Sequence, residues 1–487
     1  MNLKTLAKDT ALYGLSSIVG RFLSYLLVPL HTYKIAAQSG GYGIVTHLYA
    51  YTALLLALLT FGMETTLFRF SNKEGEDADK VYGTALRLVG MVALAFLALV
   101  FVFLGPISSA MGYASHPEYI GCMAVIVAMD AFQAIMFSRL RQQGKSLKFV
   151  ALKLGYIIPD VLLNLVIFLL IPKIPALVPM FERMDYGVGL IFFANLVCTT
   201  CVFAGFSREL KGLGYGFDRQ LARRMLGYSW PLLLLSLVGV LNNNADKILF
   251  PHLVPGPEGK VQLGIYGGCI KIAMIMTLLT QAFRYAYEPL VFGGSRSKDN
   301  PQTLADGMKY FIIFTLLAFV AVMFYMPLLR HFIDPGYWEA IGAIPIVMAA
   351  EIFMGIYFNL SFWYKLTDQT WWGAVLSAAG AAVMIAVNLI FVPKIGYWAC
   401  AWGAFAGYFV SMTLSWIIGQ KKYPIGYDLR SILLFALLAA AIYGLSELPR
   451  CFGLEAGVAV KLIYRSALLL LYCFFVYLSI RKHRSSI

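Results

Sequence analysis

The sequence predicts an all-α polytopic membrane protein with about 14 transmembrane helices, and its composition and hydropathy are the observations that predict this class. Hydrophobic residues make up 60% of the 487 residues, charged residues make up 13%, and the mean hydropathy is +0.74. Soluble domains carry about 25% charged residues. Apolar windows of about 20 residues recur along the chain, and each could cross roughly 30 Å of hydrocarbon as a helix. The windows lack the ten-residue alternation that marks a transmembrane β-barrel.

The apolar windows define the predicted spans in chain order. Polar and charged stretches separate them, as expected for loops at the two membrane surfaces. The spans are predicted at residues 10–33, 42–68, 81–104, 119–137, 149–171, 187–206, 225–250, 263–283, 308–328, 338–364, 371–392, 397–418, 431–448 and 458–480.

An internal repeat groups these spans into lobes. Gly43-Ile44 opens the second span, and Gly264-Ile265 opens the eighth span 221 residues later, which is the length of six spans with their loops. Two six-span repeats of the same orientation predict two lobes related by an axis along the membrane normal, with the substrate path between them. We therefore predict an N-terminal lobe at 1–206, a cytoplasmic linker at 207–224, a C-terminal lobe at 225–418, and two additional spans with a basic tail at 419–487.

The formal charge of +14 reports topology rather than a nucleic-acid partner. The basic residues are spread over short loops, and no basic domain interleaved with aromatic residues is present to bind a nucleic-acid backbone. With the N-terminus inside, 24 loop lysines and arginines fall on the cytoplasmic side and 7 on the opposite side. This bias predicts that both termini are cytoplasmic.

The loops argue against an enzyme. The longest, at 207–224 and 284–307, contain about 20 residues, which is too few for a catalytic domain. The sequence contains neither the G-x-x-x-x-G-K-[ST] phosphate loop nor the H-E-x-x-H zinc motif. We therefore predict a transporter that carries no cofactor and no bound metal.

Arg21 is the most informative charged residue because it lies near the middle of the first span. A cation at that depth costs several kcal/mol unless it faces protein or water. Polar and small residues recur at three- and four-residue steps around it and so share its helical face. We therefore predict a hydrated, cationic cavity bounded by the polar face Tyr13, Ser16, Ser17, Gly20, Ser24 and Tyr25.

Four further basic residues lie within or close to predicted spans. Arg284 is the strongest of them because it shares one face of the eighth span with Thr277 and Gln281. The other three are Arg87, Lys153 and Lys271, of which Lys271 lies nearly opposite Arg284 around its helix. We predict that this set binds anionic groups of the cargo, whereas for each residue alone a purely structural charge pair is an equal alternative.

Buried acids raise the question of ion coupling. An intramembrane carboxylate holds an ion or proton, or it neutralises a buried base. The candidates are Asp130, Asp160, Asp246 and Glu351. Asp160 follows Pro159, and helices broken near mid-membrane commonly hold ion sites in transporters. We predict H⁺ or Na⁺ as the coupling ion, and leave open the alternative that Asp160 pairs with Lys153.

Three segments resemble a known family. They are LAKDTALYGLSSIVGRFLSYLLVPLHTYKI from residue 6, LRQQGKSLKF from residue 140, and NNNADKILF with LGIYGGCIKIA across spans seven and eight. The chain resembles the polysaccharide transporters of the multidrug/oligosaccharidyl-lipid/polysaccharide exporter superfamily over nearly its whole length. The resemblance implies a V-shaped two-lobed fold, a location in a bacterial inner membrane, and a prenyl-diphosphate-linked oligosaccharide of O-antigen, capsule or exopolysaccharide as the substrate. Membrane lipid and a glycan polymerase or glycosyltransferase would be its partners.

Three other functions stay open at this stage. A peptidoglycan-precursor flippase would share the fold and the cationic cavity. A multidrug exporter of the same superfamily moves organic cations, which Arg21 would repel. A membrane glycan polymerase should carry a sizeable exposed loop or an acidic metal-binding cluster, and the sequence shows neither.

Overall fold

A computed structural model describes residues 19–20, 22–293, 300–451 and 457–484, and every regular element in these ranges is a helix. The chain divides into two compact units, Met1–Gly267 with Val392–Gly396, and Gly268–Phe391 with Tyr397–Ile487. The all-α class predicted from composition is confirmed. The lobe boundaries predicted from the repeat stay a prediction.

The first unit is built from ten helices and the start of an eleventh, counted in the described part of the chain. They are α1 (Leu27–Lys34), α2 (Gly41–Thr60), α3 (Met63–Ser71), α4 (Ala78–Val102), α5 (Leu104–Ala110), α6 (Pro117–Gln142), α7 (Ser146–Leu169), α8 (Val178–Arg183), α9 (Val188–Ala204), α10 (Arg219–Leu253) and the beginning of α11 (Pro257–Gly293). Short 3₁₀ turns occupy Ala37–Ser39, Ile171–Lys173 and Glu209–Gly214.

The second unit continues with the rest of α11. Its other helices are α12 (Asn300–Phe324), α13 (Met326–Leu329), α14 (Ile344–Leu360), α15 (Phe362–Leu366), α16 (Trp371–Ile395), α17 (Tyr397–Lys422), α18 (Leu429–Cys451) and α19 (Val458–Arg484). Two 3₁₀ segments, Arg330–Phe332 and Pro335–Ala343, precede α14.

Among the described residues, 12 helices are long and apolar enough to cross a membrane. Each corresponds to one of the predicted spans. The sixth predicted span is the shorter apolar helix Val188–Ala204, and most of the first predicted span lies outside the described residues. Large apolar side chains such as Leu94 and Val102 are exposed on these helices, as expected for surfaces that face lipid tails.

The second span is broken where the sequence reads Phe61-Gly62. Both residues have positive φ, 34° at Phe61 and 72° at Gly62, and they separate α2 from α3. A glycine adopts this left-handed conformation at little cost. The break places Glu64 in the first turn of the new helix α3, where its side chain reaches the polar cavity described below.

Close side-chain packing holds the first unit together. Met63, Leu67, Val89, Ala131 and Ile135 are completely buried in one cluster that joins α3, α4 and α6. In lipid, apolar burial gives little driving force, so van der Waals packing and small residues hold helices together. Ala131 is one of the small side chains at this packing surface.

In the second unit, α18 and α19 pack on α12. Phe324, Phe435 and Tyr472 form part of their shared apolar cluster. At one end of α12, the Lys309 ammonium donates a hydrogen bond of 2.7 Å to Asp428, just before α18 begins. This bond lowers the pKa of the Asp428 carboxyl to about 2. The two spans outside the predicted repeat are therefore anchored to the second unit by packing and by an ion pair.

The two glycines of the sequence repeat touch each other in the first unit. A Cβ atom added to Gly264 would lie 2.9 Å from the backbone nitrogen of Gly43, closer than real Cβ atoms approach. The start of α11 therefore crosses the start of α2 with backbone against backbone, which a residue larger than glycine would prevent. The repeat predicted from sequence thus marks a helix crossing.

Candidate functional site

A cavity of about 400 Å³ lies within the first unit and is lined by α2, α3, α6, α7 and α9. Charged residues of both signs line it, together with an amide and aromatic rings. Asp130 is 13 residues from the start of α6, so the cavity extends to the middle of a membrane-length helix. The lining residues are Leu56, Glu64, Asp130, Gln133, Ala134, Phe137, Arg141, Phe149, Lys153, Tyr156 and Val202.

Helix α9 fixes the polar wall of this cavity. Asn195 and Thr199 are four residues apart and therefore share one face. Asn195 Oδ1 accepts a 2.8 Å hydrogen bond from the Tyr156 hydroxyl, and the Thr199 carbonyl accepts one of 3.1 Å from Gln133. The Asp130 carboxylate accepts a long bond of 3.4 Å from Thr199 Oγ1. The short apolar helix α9 thus positions the cavity-lining groups of α6 and α7.

Lys153 reaches the same cavity from α7, but within the described chain its ammonium forms no ion pair with a carboxylate. Its Nζ lies 4.4 Å from the centre of the Phe137 ring. Asp130 and Glu64 line the same cavity, and neither carboxylate lies within 4.0 Å of the Lys153 ammonium in the described structure. The structure therefore brings together Asp130 and Lys153, which the sequence placed in different functional groups.

The Glu64–Arg141 ion pair lines both this cavity and a second one. Arg141 Nη2 donates to Glu64 Oε2 at 2.9 Å and to Ser138 Oγ at 3.0 Å. The second cavity is about 240 Å³ and is lined by Thr60, Thr65, Phe68 and Ser236 in addition to the pair itself. The two polar cavities therefore share this ion pair as part of their walls.

Asp160 lies on α7 but is not among the residues that line the cavity. Asn164, one turn later, donates to the Asp160 carbonyl at 2.8 Å and to its carboxylate at 3.4 Å. The Asn164 side-chain oxygen lies 2.9 Å from His31 Nε2 on α1. The structure therefore connects Asp160 to α1 through Asn164.

In the second unit, α11 carries a separate polar group. The Thr277 hydroxyl donates a 2.9 Å hydrogen bond to Glu351 Oε2 on α14. Gln281 and Lys271 are half-buried on the same helix as Thr277. Thr277 and Glu351, predicted separately as a cavity residue and an ion-coupling residue, are thus direct partners.

Arg284 forms the centre of a cationic cluster in the second unit. Its Nε donates to Glu288 Oε1 at 3.1 Å, and its guanidinium lies 4.2 Å from the centre of the Phe358 ring. Lys365 Nζ lies 3.7 Å from the same Glu288 oxygen and 4.6 Å from the same ring. Two cations share one carboxylate, so the cluster carries a net positive charge.

Two other predicted residues have local partners. Arg87 donates a 2.5 Å hydrogen bond to the carbonyl of Leu213 and lines a separate, apolar cavity. Asp246 is buried and accepts hydrogen bonds of 2.9 and 3.0 Å from Lys247, the next residue. Neither Arg87 nor Asp246 lines the cavity that contains Asp130 and Lys153.

The predicted polar face of the first span lies largely outside the described residues. Arg21, Tyr13 and Ser17 belong to the part that the structure does not describe. Ser16 belongs to the same part; of the other three residues, Gly20 is buried, Ser24 is exposed and Tyr25 is half-buried. The cationic cavity predicted from Arg21 therefore stays a prediction.

Arg141, Lys365 and Lys247 were missed as site residues by the sequence reasoning. Arg141 and Lys365 are among the 24 cytoplasmic loop cations from which the topology is predicted. A usable signal for Arg141 was its distance of eleven residues from Asp130, three helical turns along α6 and hence nearly the same face. For Lys247, the adjacent Asp246 was the available signal.

Comparison with known proteins identifies the family. The family model described as polysaccharide biosynthesis protein matches residues 6–286, more than half of the chain. The chain belongs to the polysaccharide biosynthesis protein family. No curated protein sequence matches the chain.

Solved structures resemble this member of the polysaccharide biosynthesis family over almost its full length. The lipid II flippase MurJ in an inward closed conformation aligns with a TM-score of 0.73 at 13% identity, covering 97% of this chain and 99% of that chain. An inward-facing multidrug resistance MATE family transporter of the MOP superfamily aligns with a TM-score of 0.64 at 13% identity, covering 85% and 94%. The MATE transporter DinF-BH gives 0.59 at 16% identity, covering 86% and 97%. At these identities the likeness establishes the fold, a multi-pass membrane fold shared with transporters.

Proposed function

We propose that the chain moves a polyprenyl-diphosphate-linked oligosaccharide from the cytoplasmic to the outer leaflet of the bacterial inner membrane. The cargo would be a repeat unit of O-antigen, capsule or exopolysaccharide, handed on to a glycan polymerase or glycosyltransferase. The observation that carries the proposal is the polar cavity around Asp130 and Lys153, which lies among membrane-length helices. Membership of a polysaccharide biosynthesis family supports this cargo class.

The diphosphate of such a cargo requires cations that are not fully neutralised. Arg284 and Lys365 share Glu288 as their one carboxylate among the described residues, so a phosphate oxygen could replace that partner. Arginine suits this role because its planar fork binds phosphate with two parallel hydrogen bonds. Arg21 would supply a further cation from the first span. Lys271 is a weaker candidate because it lies on a different face of α11 from Arg284.

Transport of the cargo would be coupled to H⁺ or Na⁺. Two of the four acids, Asp130 and Asp160, accept only a long side-chain hydrogen bond in the described structure. Asp160 is the better placed of the two for this role because it follows Pro159 inside α7. Asp246 already pairs with Lys247 and Glu351 with Thr277. An ion site needs a carboxylate that can exchange its partner.

The second candidate function is a flippase for a peptidoglycan precursor, which the structural likeness to the lipid II flippase MurJ favours. A multidrug cation exporter is the third, on the fold shared with MATE transporters. Complementation separates the two flippase functions: the chain is expressed in strains that each lack one known flippase, and surface glycan and cell growth are measured. The proposal expects one O-antigen, capsule or exopolysaccharide to return. Rescue of a strain that lacks its peptidoglycan-precursor flippase, without any surface glycan, would favour the second candidate.

A further inference from the structure

The cavity around Asp130 and Lys153 is balanced in charge, and this bears on what it binds. Glu64 and Asp130 contribute two carboxylates, and Arg141 and Lys153 contribute two cations. A diphosphate would be attracted by the two cations but repelled by the two nearby carboxylates. A metal cation would be attracted by the carboxylates but repelled by the cations. The balance favours a ligand that carries no net charge but many polar groups.

Two of the four charged groups have incomplete hydrogen bonding in the described structure. Asp130 accepts one long bond from Thr199, and Lys153 lies over the Phe137 ring without a carboxylate within 4.0 Å. Burying a charge without a partner is costly, and such groups are normally paired or hydrogen-bonded. A ligand that donates a hydrogen bond to Asp130 and accepts one from Lys153 would satisfy the hydrogen bonding of both side chains at once. A hydroxyl group does both, because it carries one donor and two acceptor lone pairs.

The remaining walls are aromatic or aliphatic. Phe149 and Tyr156 line the cavity beside Phe137, and Gln133 adds an amide. The cavity combines these apolar walls with charged and amide groups, and its volume of about 400 Å³ falls within the usual range for small-molecule sites. A pyranose ring matches this lining, with hydroxyl groups at its edge for the charged residues and C–H groups on its faces for the aromatic rings.

We infer that this cavity binds one uncharged sugar residue of the glycan that the chain carries. The inference rests on the proposed function, because the glycan is the cargo assigned there. The diphosphate of the same cargo would bind elsewhere, at cationic groups such as Arg284 and Lys365. Asp130, predicted from the sequence as an ion-coupling residue, becomes a sugar-binding residue in this account.

Photo-crosslinking tests the sugar site and does not require the glycan to be identified first. Phe149→p-benzoyl-phenylalanine places a photoreactive group in the cavity wall of the full-length chain, expressed in a strain whose surface glycan the chain restores. After irradiation, adducts are detected by periodate oxidation and hydrazide labelling of carbohydrate. The matched control is Phe132→p-benzoyl-phenylalanine, because Phe132 is on the same helix as Asp130 but lines the separate apolar cavity. Leu56→p-benzoyl-phenylalanine serves as a second probe if the Phe149 variant does not accumulate.

We expect carbohydrate-positive adducts from Phe149 or Leu56 and carbohydrate-free adducts from Phe132. Asp130→Ala should reduce the carbohydrate-positive yield about tenfold or more, because a charge-assisted hydrogen bond is lost. Asp130→Asn, which keeps an acceptor oxygen, should retain more of it. Carbohydrate-free adducts at both cavity positions, or an undiminished yield in a folded Asp130→Ala protein, would overturn the inference. If the chain restores the surface glycan but the crosslinking result is negative, only the sugar-site inference is wrong and the proposed flippase function is kept. If the chain complements none of the strains, the proposed flippase function itself is contradicted.

Discussion

Two lysines on α7 should respond in opposite ways to removal of their charge. Lys148 Nζ donates a 2.5 Å hydrogen bond to Glu209 Oε2, and the Glu209 side chain is only 5% exposed. Lys153, five residues later, has the Phe137 ring as its neighbour and no carboxylate partner in the described part of the chain. We predict that Lys148→Met destabilises the fold but leaves the transport rate of the folded protein unchanged, whereas Lys153→Met leaves the fold intact and lowers the transport rate about tenfold or more.

The magnitudes follow from these contacts. Removing one partner of a buried ion pair costs about 3–5 kcal/mol, and because Lys148 itself is 31% exposed we expect about 2–3 kcal/mol for Lys148→Met. Lys153→Met loses a cation–π contact of about 0.5–2 kcal/mol. It also removes the cost of keeping an unpaired charge out of water, which offsets that loss. The net change in the free energy of unfolding at Lys153 should therefore stay within about 1 kcal/mol.

The assay is thermal unfolding of the purified variants in one detergent, compared through their apparent Tm. Lys148→Met should lower the apparent Tm clearly below that of Lys153→Met, and Lys148→Met with Glu209→Gln should recover much of the loss because no charge is then stranded. The reasoning is refuted if the two single variants lose equal stability, or if Lys153→Met loses more. Either result would mean that Lys153 has a structural partner.

Three further predictions concern the first span, the topology and the coupling ion. Arg21→Ala should abolish glycan export by an inserted, well-expressed protein, whereas Arg21→Lys should retain part of it because lysine keeps the charge but not the bidentate fork; normal export by Arg21→Ala would reject a cationic cavity in the first span. A cysteine replacing Ser109 should react with a membrane-impermeant thiol reagent applied outside intact cells, whereas a cysteine replacing Gly214 should not. The reverse labelling pattern would show that the orientation predicted from the basic residues is inverted. Asp160→Asn should remove gradient-driven transport while expression and cargo binding remain measurable, because Asp160 does not line the cavity that holds Lys153. Poor expression of Asp160→Asn that Lys153→Met restores would instead assign Asp160 a structural role as the partner of Lys153.

The fold could be predicted from sequence because its signal is local. Each span is a run of about 20 apolar residues, and the bilayer requires such a run to form a helix. The helix boundaries were less predictable, because caps and breaks decide them. The break at Phe61-Gly62 is an example, since a glycine inside an apolar window does not by itself indicate a left-handed turn.

The candidate site could be predicted only in part. Asp130 and Lys153 stood out because charge is rare within spans, but their meeting at one cavity depends on the rotation of α6 against α7. The hydropathy of the sequence does not predict how one helix is rotated against its neighbour. Arg87 stood out for the same reason, and its hydrogen bond to the Leu213 carbonyl depends on how the loop after α9 folds back on α4. Sequence thus predicted which residues are unusual but not which of them share a site.

The most direct test of the central claim is flipping of purified cargo by the purified chain. Lipid-linked oligosaccharide is extracted from the strain whose surface glycan the chain restores and is incorporated with the protein into liposomes. Its exposure on the outer leaflet is then followed with a membrane-impermeant, carbohydrate-oxidising enzyme. Our account predicts that the wild-type chain makes the protected half of the cargo accessible, and that Lys153→Met, folded and equally reconstituted, does so at no more than about a tenth of that rate. Protected cargo that stays inaccessible with the wild-type chain, with an ion gradient imposed in either direction, would contradict the claim that this protein is a flippase.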